Sequence, residues 1–359
     1  MRRTNAFFRF FPPPRFLSLP AAGINISDRS IRFAKLKHGE GGFVLDSFGE
    51  QPIPQGLVSA GQIQKPKELT GLLSAFRQTY GLSFIRASLP EQEGYSLRVK
   101  IPRVERKEIH QSLELQLEEY VPLSARDAVF DYTPIECVAP DPAANTLEVG
   151  LSVMPRKDIE GYADLFYDAG LVPLSFELEA HAIARAIIGE GECGTYVLLD
   201  IGAMRTGISV FSRGAIVFTS TITIGGYALT QSIAEELHIP FSRAQELKES
   251  EGLWGEAGLF AVSRSKFSAL REEIGKHLSY IRTRQDVADD GAIEKIILCG
   301  GDANLPGLTE YLYETLKTPI EFGNPWININ SLEEYVPEIP LNHSLRYAPA
   351  LGLAIRRTG

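Results

Sequence analysis

Val197-Leu-Leu-Asp-Ile-Gly-Ala-Met-Arg-Thr-Gly-Ile-Ser-Val-Phe211 is the stretch that decides the fold. An apolar run carries one carboxylate, Asp200, to a glycine turn at Ile201-Gly202, and the chain returns as an alternating run from Ile208 to Phe211. Glycine turns let backbone N–H groups crowd onto phosphate oxygens, and a carboxylate at a strand tip can hold a hydrated divalent cation. Alone, such a hairpin is more often a plain turn than a site. A second glycine-rich turn, in Ile296-Ile-Leu-Cys-Gly-Gly-Asp-Ala-Asn-Leu-Pro-Gly307, changes the weighting, because two such turns outline a nucleotide cleft.

Outward from this hairpin, the Arg213-Gly214 turn leads to a third apolar run over 215–223, which completes a meander. The same plan stands near the N-terminus: apolar runs over 22–26, 31–36 and 43–48, with polar turns at 27–30 and 38–42. One lobe used twice, each copy offering its first turn to a shared cleft, explains the echo. Residues 65–80 read as a helix with Leu69, Leu72, Leu73 and Phe76 on one face and Gly81 stopping it, followed by a strand over 84–89. The next unit differs in texture. It has a strand at 95–101, a helix at 105–119 bearing Ile109, Leu113 and Leu117, and strands at 129–138 and 146–153.

A helix at 157–169, a strand at 172–177 and a helix at 180–188 follow, and Glu190-Gly-Glu-Cys-Gly194 reads as a hinge. Beyond the second meander come helices at 227–237, 242–249 and 262–286. The last carries Phe267, Leu270, Ile274, Leu278 and Ile281 at three- and four-residue steps, the mark of a helix covering a core with one face. A strand at 295–299 runs into Gly300-Gly301, and the small-residue stretch 347–355 reads as a tightly packed helix. The organisation expected is a tail (1–20), a first lobe (21–90, 154–190 and 340–359) interrupted by an α+β unit (91–153), and a second lobe (191–339) with a helical subdomain over about 227–290.

A chain of 359 residues with 44% hydrophobic and 23% charged residues suits two lobes of an ordinary globular protein. Its net charge of −9 excludes sequence-independent nucleic-acid binding, which needs a cationic stripe. No run nears the ~18 uncharged apolar residues that span a bilayer. Cys137, Cys193 and Cys299 are scattered and read as free thiols in a reducing compartment, and the histidines lack metal-ligand spacing. The N-terminal Phe-rich tail is broken by Arg9, Pro12, Pro13, Pro14 and Arg15, so it reads as disordered rather than as a signal peptide. Its arginines and phenylalanines suit contact with an anionic membrane surface.

The order of these turns resembles the actin-like ATPase superfamily. Within it, the chain from Gly23 onward is most similar to the PilM family of type IV pilus assembly, and secondarily to the FtsA proteins of cell division. The resemblance implies an α/β fold: two ribonuclease H-like lobes around a nucleotide cleft, with a small SHS2-type α+β insertion in the first lobe. Gly23-Ile-Asn-Ile-Ser-Asp-Arg-Ser30 looks like the family's first phosphate loop and puts Asn25, Ser27, Arg29 and Ser30 beside the phosphates. Asn25 stands where the family has Asp, and Ser27 where it has Gly. Asn25 can still accept a hydrogen bond but brings no charge, a loss of ~1–3 kcal/mol toward a cation's water shell.

In the second phosphate loop Asp200, Gly202, Ala203 and Thr206 match, with Asp200 as the Mg²⁺-side carboxylate. Gly225-Gly226 resembles the double glycine that leads into the helical subdomain. Ala244-Gln-Glu-Leu-Lys248 is similar to a motif near ribose and adenine, with Gln245 replacing an acid and Lys248 kept. Gly300-Gly301 with Leu305 looks like the adenosine motif, and 347–354 like the second interlobe connection. Glu179 matches the acid of the first connection and is the one candidate for a catalytic role, although Glu177 is too near in sequence to separate from it.

The resemblance implies a cytoplasmic scaffold that binds ATP and Mg²⁺ between its lobes, hydrolyses weakly or not at all, and is recruited by partners to the cytoplasmic face of the inner membrane. Those partners are other pilus assembly proteins, above all the N-terminal cytoplasmic peptide of a PilN-like inner-membrane protein. That peptide docks beside the insertion, near residues 101–121 and the strands that follow. An FtsA-like protein polymerising at the membrane is the alternative, weighed against by a chain that stops directly after the last packed helix. A sugar or acetate kinase is a second alternative, weighed against by the lack of an evident catalytic base or substrate domain.

Overall fold

The computed structural model describes residues 21–135, 145–254, 259–284, 293–333 and 335–356. The expectations for the N-terminal tail, for Cys137 and for the last turn of the helix ending near 286 lie outside them. In chain order the first lobe opens with β1 (Ala22–Ile26), β2 (Ser30–His38), β3 (Phe43–Pro52), the short pair β4 (Val58–Ser59) and β5 (Gln62–Ile63), α1 (Pro66–Tyr80) and β6 (Phe84–Leu89). The insertion is β7 (Tyr95–Pro102), α2 (Ile109–Tyr120), β8 (Ala128–Pro134) and β9 (Thr146–Pro155), and the lobe resumes with α3 (Arg156–Asp168), β10 (Val172–Leu178) and α4 (Glu179–Ile187). The second lobe runs β11 (Thr195–Ile201), β12 (Thr206–Ser212), β13 (Ala215–Ile222), α5 (Gly226–Leu237), α6 (Phe241–Glu251), α7 (Leu259–Thr283), β14 (Lys295–Cys299), α8 (Leu308–Leu316) and β15 (Ile320–Phe322). The short α9 (Leu341–Ser344) and α10 (Ala348–Ala354) end the described chain.

Both sheets use one plan. In the first, β1, β2 and β3 form an antiparallel meander and β6 and β10 add on parallel, giving the order β10-β6-β1-β2-β3. In the second, β11, β12 and β13 repeat the meander while β14 and β15 take the parallel places. The repeat read from the two meanders is thus a repeat of whole sheets, the two-lobed actin-like arrangement. Parallel crossovers need a helix to span them, which is the work of α1, α3 and the helices between β13 and β14.

The second sheet does not end at β13. Through the single pair Phe218↔Leu97 it continues into β7, β9 and β8, so an insertion that interrupts the first lobe in sequence extends the second lobe's sheet in space. The insertion keeps its own core, in which Ile109, Leu113 and Leu117 of α2 pack on Val99, Ile101, Val149 and Leu151. In the second lobe the α7 stripe of Phe267, Leu270, Ile274, Leu278 and Ile281 is buried against β11, β12 and β14. At about 1.5–3 kcal/mol for each large side chain removed from water, that stripe is a main support of the lobe.

The small-residue stretch near the C-terminus is α10, and its composition has a steric cause. It is wedged between β1 and α4, and a Cβ on Gly352 would lie 1.8 Å from the Ala182 carbonyl oxygen. One boundary shifts from its sequence assignment. Trp326, Ile329 and Ile339, expected in the second lobe, pack with Ala34, Leu45 and Tyr347, and the Phe43 N–H donates to the Ile329 carbonyl (2.9 Å). Edge strand β3 supplies the free backbone donors that draw the segment across. Cys299 is a buried free thiol, whereas Cys193, exposed in the hinge, is disulfide-bonded and departs from the free-thiol expectation. No helix of the described residues is long and apolar enough to cross a membrane.

Candidate functional site

The β1–β2 turn and the β11–β12 turn occupy equivalent places in the two lobes and face each other across a cleft of about 90 Å³. Asn25, Ser27, Arg29 and Ser30 line it from the first lobe with Glu179 at the start of α4, and Asp200, Gly202, Ala203, Gly300 and Gly301 line it from the second. Asp200 and Gly300 lie on neighbouring strands of one sheet, Asp200 opposite Cys299 in the parallel β11–β14 pair. The two are therefore adjacent rather than on opposing sides of the cleft, and it is the first lobe's turn that opposes both. Gly300 has φ +96°, and a Cβ there would lie 2.5 Å from Asp200 Oδ1 and from the Ile201 carbonyl oxygen. Only glycine lets these backbones come so close.

The remaining sequence-predicted residues sit behind the cleft. Thr206 is buried and its hydroxyl donates to the Ile224 carbonyl (2.8 Å). Gly225 and Gly226 open α5, where the Gly226 and Tyr227 N–H groups donate to the Gly202 and Ala203 carbonyls at 3.0 and 2.7 Å. Gln245 accepts from the Thr230 hydroxyl (2.6 Å) and donates to Glu249 (2.6 Å). Lys248 is buried, donating to the Gly226 carbonyl (3.2 Å) and paired with Asp302. Leu305 belongs to the second lobe's core. The polar side chains among these residues are thus held by internal partners.

Five charged lining residues had no assigned role in the sequence reading: Asp28, Arg32, Arg205, Asp302 and Arg346. Arg205 matters most. Its guanidinium reaches from the second lobe's turn to Asp28 (3.3 Å) and Glu179 (3.5 Å), both of the first lobe. With the Gln92 amide turned oxygen-first, Gln92 also accepts from Arg205 Nε and Nη1 at 2.7 and 2.8 Å. Burial opposes this charge. The carboxylates of Glu179, Asp28, Asp200 and Glu91 outweigh burial and push the Arg205 pKa above the usual arginine value.

The acids respond in turn. Burial first, then the Glu179 charge, raise Asp200 to about 7, with Arg205 and Arg32 offsetting only part. Glu91, below the cleft, rises to about 8 for the same two reasons and is largely protonated at neutral pH, although it accepts from the Ala180 N–H. The structure also separates the two candidate glutamates. Glu177 is held by Arg185 (2.5 Å) and Arg356 (3.3 Å) outside the cleft lining, while Glu179 faces the cleft. Glu179 is already committed, because Asn25 Nδ2 donates to it (2.7 Å) as well as to Ser88 Oγ (2.9 Å).

For a phosphate chain the cleft offers four guanidinium groups, while part of its loop backbone is already hydrogen-bonded. The Ser27 hydroxyl accepts from the Ser30 and Arg29 N–H groups at 3.1 and 3.4 Å, the Gly202 N–H donates to the Arg205 carbonyl (2.9 Å), and the Gly300 N–H to the Leu345 carbonyl (3.2 Å). A tightly held Mg²⁺ fits the donor set poorly. Asn25 brings an amide, Glu179 is spent on two partners, and Asp200, the expected ligand, shares its surroundings with the Arg205 charge. Among the described residues no group of three or more His, Cys, Asp or Glu side chains is arranged to hold a metal ion.

Two duplicated sheets, paired first turns and a polar cleft between them define a protein of the actin-like ATPase fold. Comparison narrows this. The chain belongs to the type IV pilus assembly protein PilM family, whose model matches residues 23–358. A solved PilM–PilN type IV pilus biogenesis complex superposes with a TM-score of 0.77 at 21% identity, covering 95% of this chain and 98% of that one. MreB5 of Spiroplasma citri bound to AMPPNP superposes with a TM-score of 0.56 at 12% identity, over 93% of this chain and 95% of that one. The cell division protein FtsA of Neisseria meningitidis is 26% identical over 181 residues. That match takes in 44% of this chain and 43% of FtsA, so the chain spans about two-fifths of the length of that relative.

Proposed function

We propose that this chain is a cytoplasmic, nucleotide-binding scaffold of type IV pilus assembly with little or no ATP hydrolysis. The observation that carries the reading is the Arg205 bridge, which ties the two phosphate-loop turns together across the cleft in which an actin-like fold takes its nucleotide. Two residues that could activate a water are unsuited to it. Asn25 cannot act as a base, and Glu179, the candidate catalytic acid, is neutralised by Arg205 and hydrogen-bonded to Asn25. ATP held there would set how far the lobes close, and closure would bias partner affinity as a population shift without turnover. Phosphate release from ATP with the purified chain tests this, and turnover above about 1 s⁻¹, an ordinary enzyme's pace, would defeat the scaffold reading.

The partner proposed is the N-terminal cytoplasmic segment of a PilN-like inner-membrane protein, which would hold the scaffold at the membrane's cytoplasmic face. Support comes from the insertion's outer rim. Among the described residues strand β8 is the edge of the eight-stranded sheet, with one side of its backbone unpaired, and Leu115 on α2 is 80% exposed. At the end of β8, a groove of about 860 Å³ runs between Thr133 and Pro134, helix α4, the hinge and the β12–β13 turn. A free edge beside a partly apolar groove takes an extended peptide by backbone pairing and alternate side-chain pockets.

A further inference from the structure

We infer that the cleft grips the phosphate chain of a nucleotide through guanidinium groups and needs no divalent cation to do so. The inference rests on the nucleotide reading above and concerns how that same site is held. Four arginines line the cleft: Arg29, Arg32, Arg205 and Arg346. Two of them carry buried N–H groups that lack an acceptor, Nη1 of Arg29 and Nε of Arg346. Buried guanidinium donors left unpaired are unusual. Arg29 forms no ion pair among the described residues, and its guanidinium is steadied 5.7 Å above the Tyr227 ring. Among the described residues Arg346 reaches only Glu50, at 3.9 Å.

The missing acceptors match phosphate oxygens, which a planar fork binds in pairs. Part of the set of backbone N–H groups that could cradle phosphates, as glycine-rich loops do, is already used in this cleft. Ser27 accepts from the Arg29 and Ser30 N–H groups, and the Gly202 and Gly300 N–H groups turn inward to carbonyls. A cation would enter beside a guanidinium already within 3.3–3.5 Å of Asp28 and Glu179, and it would meet an amide at Asn25. Arg205 thus stands in the cation's electrostatic role, and Arg29 and Arg346 supply buried donors that lack an acceptor.

The test uses the full purified chain and a fluorescent ATP analogue, titrated in EDTA and again in MgCl₂. The expected result is binding in EDTA within threefold of that in magnesium, displaced by inorganic tripolyphosphate. Arg29→Met is expected to weaken binding in EDTA at least tenfold, with Arg29→Lys intermediate and both variants melting like the parent. Binding that falls more than tenfold in EDTA and returns with magnesium overturns the inference and leaves the nucleotide reading standing. No binding in either buffer overturns the nucleotide reading itself and the inference with it. Failure of tripolyphosphate to compete, or full retention by Arg29→Met, also overturns it, and the two-buffer comparison on the parent chain stands even should a variant not fold.

Discussion

Replacing Arg205 with Met removes the side chain that bridges the β11–β12 turn to Asp28 of the β1–β2 turn and to Glu179. Arg205, Asp28 and Glu179 are 17%, 10% and 12% exposed in their side chains, so the bridge is close to a buried ion network. Breaking such a network from one side leaves acids uncompensated, a cost of about 3–5 kcal/mol, and the partial exposure here argues for about 3. The loss must depend on pH in a set direction. Glu91 and Asp200 already stand at about 8 and about 7 with Arg205 present, and without it all the nearby carboxyl groups gain further proton affinity. A group whose folded-state pKa is raised contributes stability that is complete below its unfolded pKa and is lost as pH rises through the folded value.

Acid therefore rescues the variant. The expected deficit is about 3 kcal/mol at pH 8, shrinking to about 1 kcal/mol at pH 5.5, since each unit of pKa shift is worth about 1.4 kcal/mol. Urea unfolding followed by far-UV circular dichroism and by fluorescence of the buried Trp326 would measure it at both pH values. A deficit below about 0.5 kcal/mol at pH 8, or one of equal size at both pH values, would refute the bridge argument.

Two further outcomes follow from the same residues. Glu91→Gln keeps an acceptor for the Ala180 N–H but deletes a group that titrates near 8 in the fold and near 4.5 in the unfolded chain. Between those values each pH unit costs the parent about 1.4 kcal/mol, so the variant should gain about 2–3 kcal/mol on the parent from pH 6 to pH 8 in paired urea melts; parallel pH profiles would contradict this. Gly300→Ala forces φ +96° on an alanine and drives its Cβ to 2.5 Å from the Ile201 carbonyl oxygen. A loss of about 3 kcal/mol or an insoluble product is expected, and a thermal melt within a degree or two of the parent would disprove the close-approach argument.

Much of the architecture was legible because it rests on local patterns. The two meanders carry strand alternation broken by glycine or polar turns, and the α7 stripe from Phe267 to Ile281 keeps helical spacing in a fully buried face. Resemblance supplied the cleft's residues only as far as its motifs run along the chain. Asp28 and Arg205 sit inside the very loops that were read, but a charge in a turn looks solvated until the opposing turn is in place. Arg346 reaches the cleft only because α10 is wedged between β1 and α4, a matter of topology that no local window records. Lys248 shows the converse: its helix was read correctly, yet its ammonium is claimed by Asp302, and only the fold brings that pair together.

The joining of the insertion to the second lobe left no trace in the sequence, since it depends on one backbone pair between Leu97 and Phe218. Its position explains how a cleft and a distant rim can share one response. The segment Glu91–Glu93 leads from β6 into β7, and it also touches the groups that line the cleft: Glu91 feels the charges of Glu179 and Asp200, and the Gln92 amide faces Arg205. Two residues further on, Tyr95 begins β7, which pairs along its length with β9 and so with the free edge at β8. Any ligand that draws Arg205 away from Asp28 and Glu179 must also disturb its contact with Gln92, at the root of the insertion. Packed elements with two discrete arrangements transmit such shifts where a loose linker would absorb them. The proposed scaffold role would need this continuity more than it needs a catalytic base, and the backbone pairing from Glu91 through β7 and β9 to β8 supplies it.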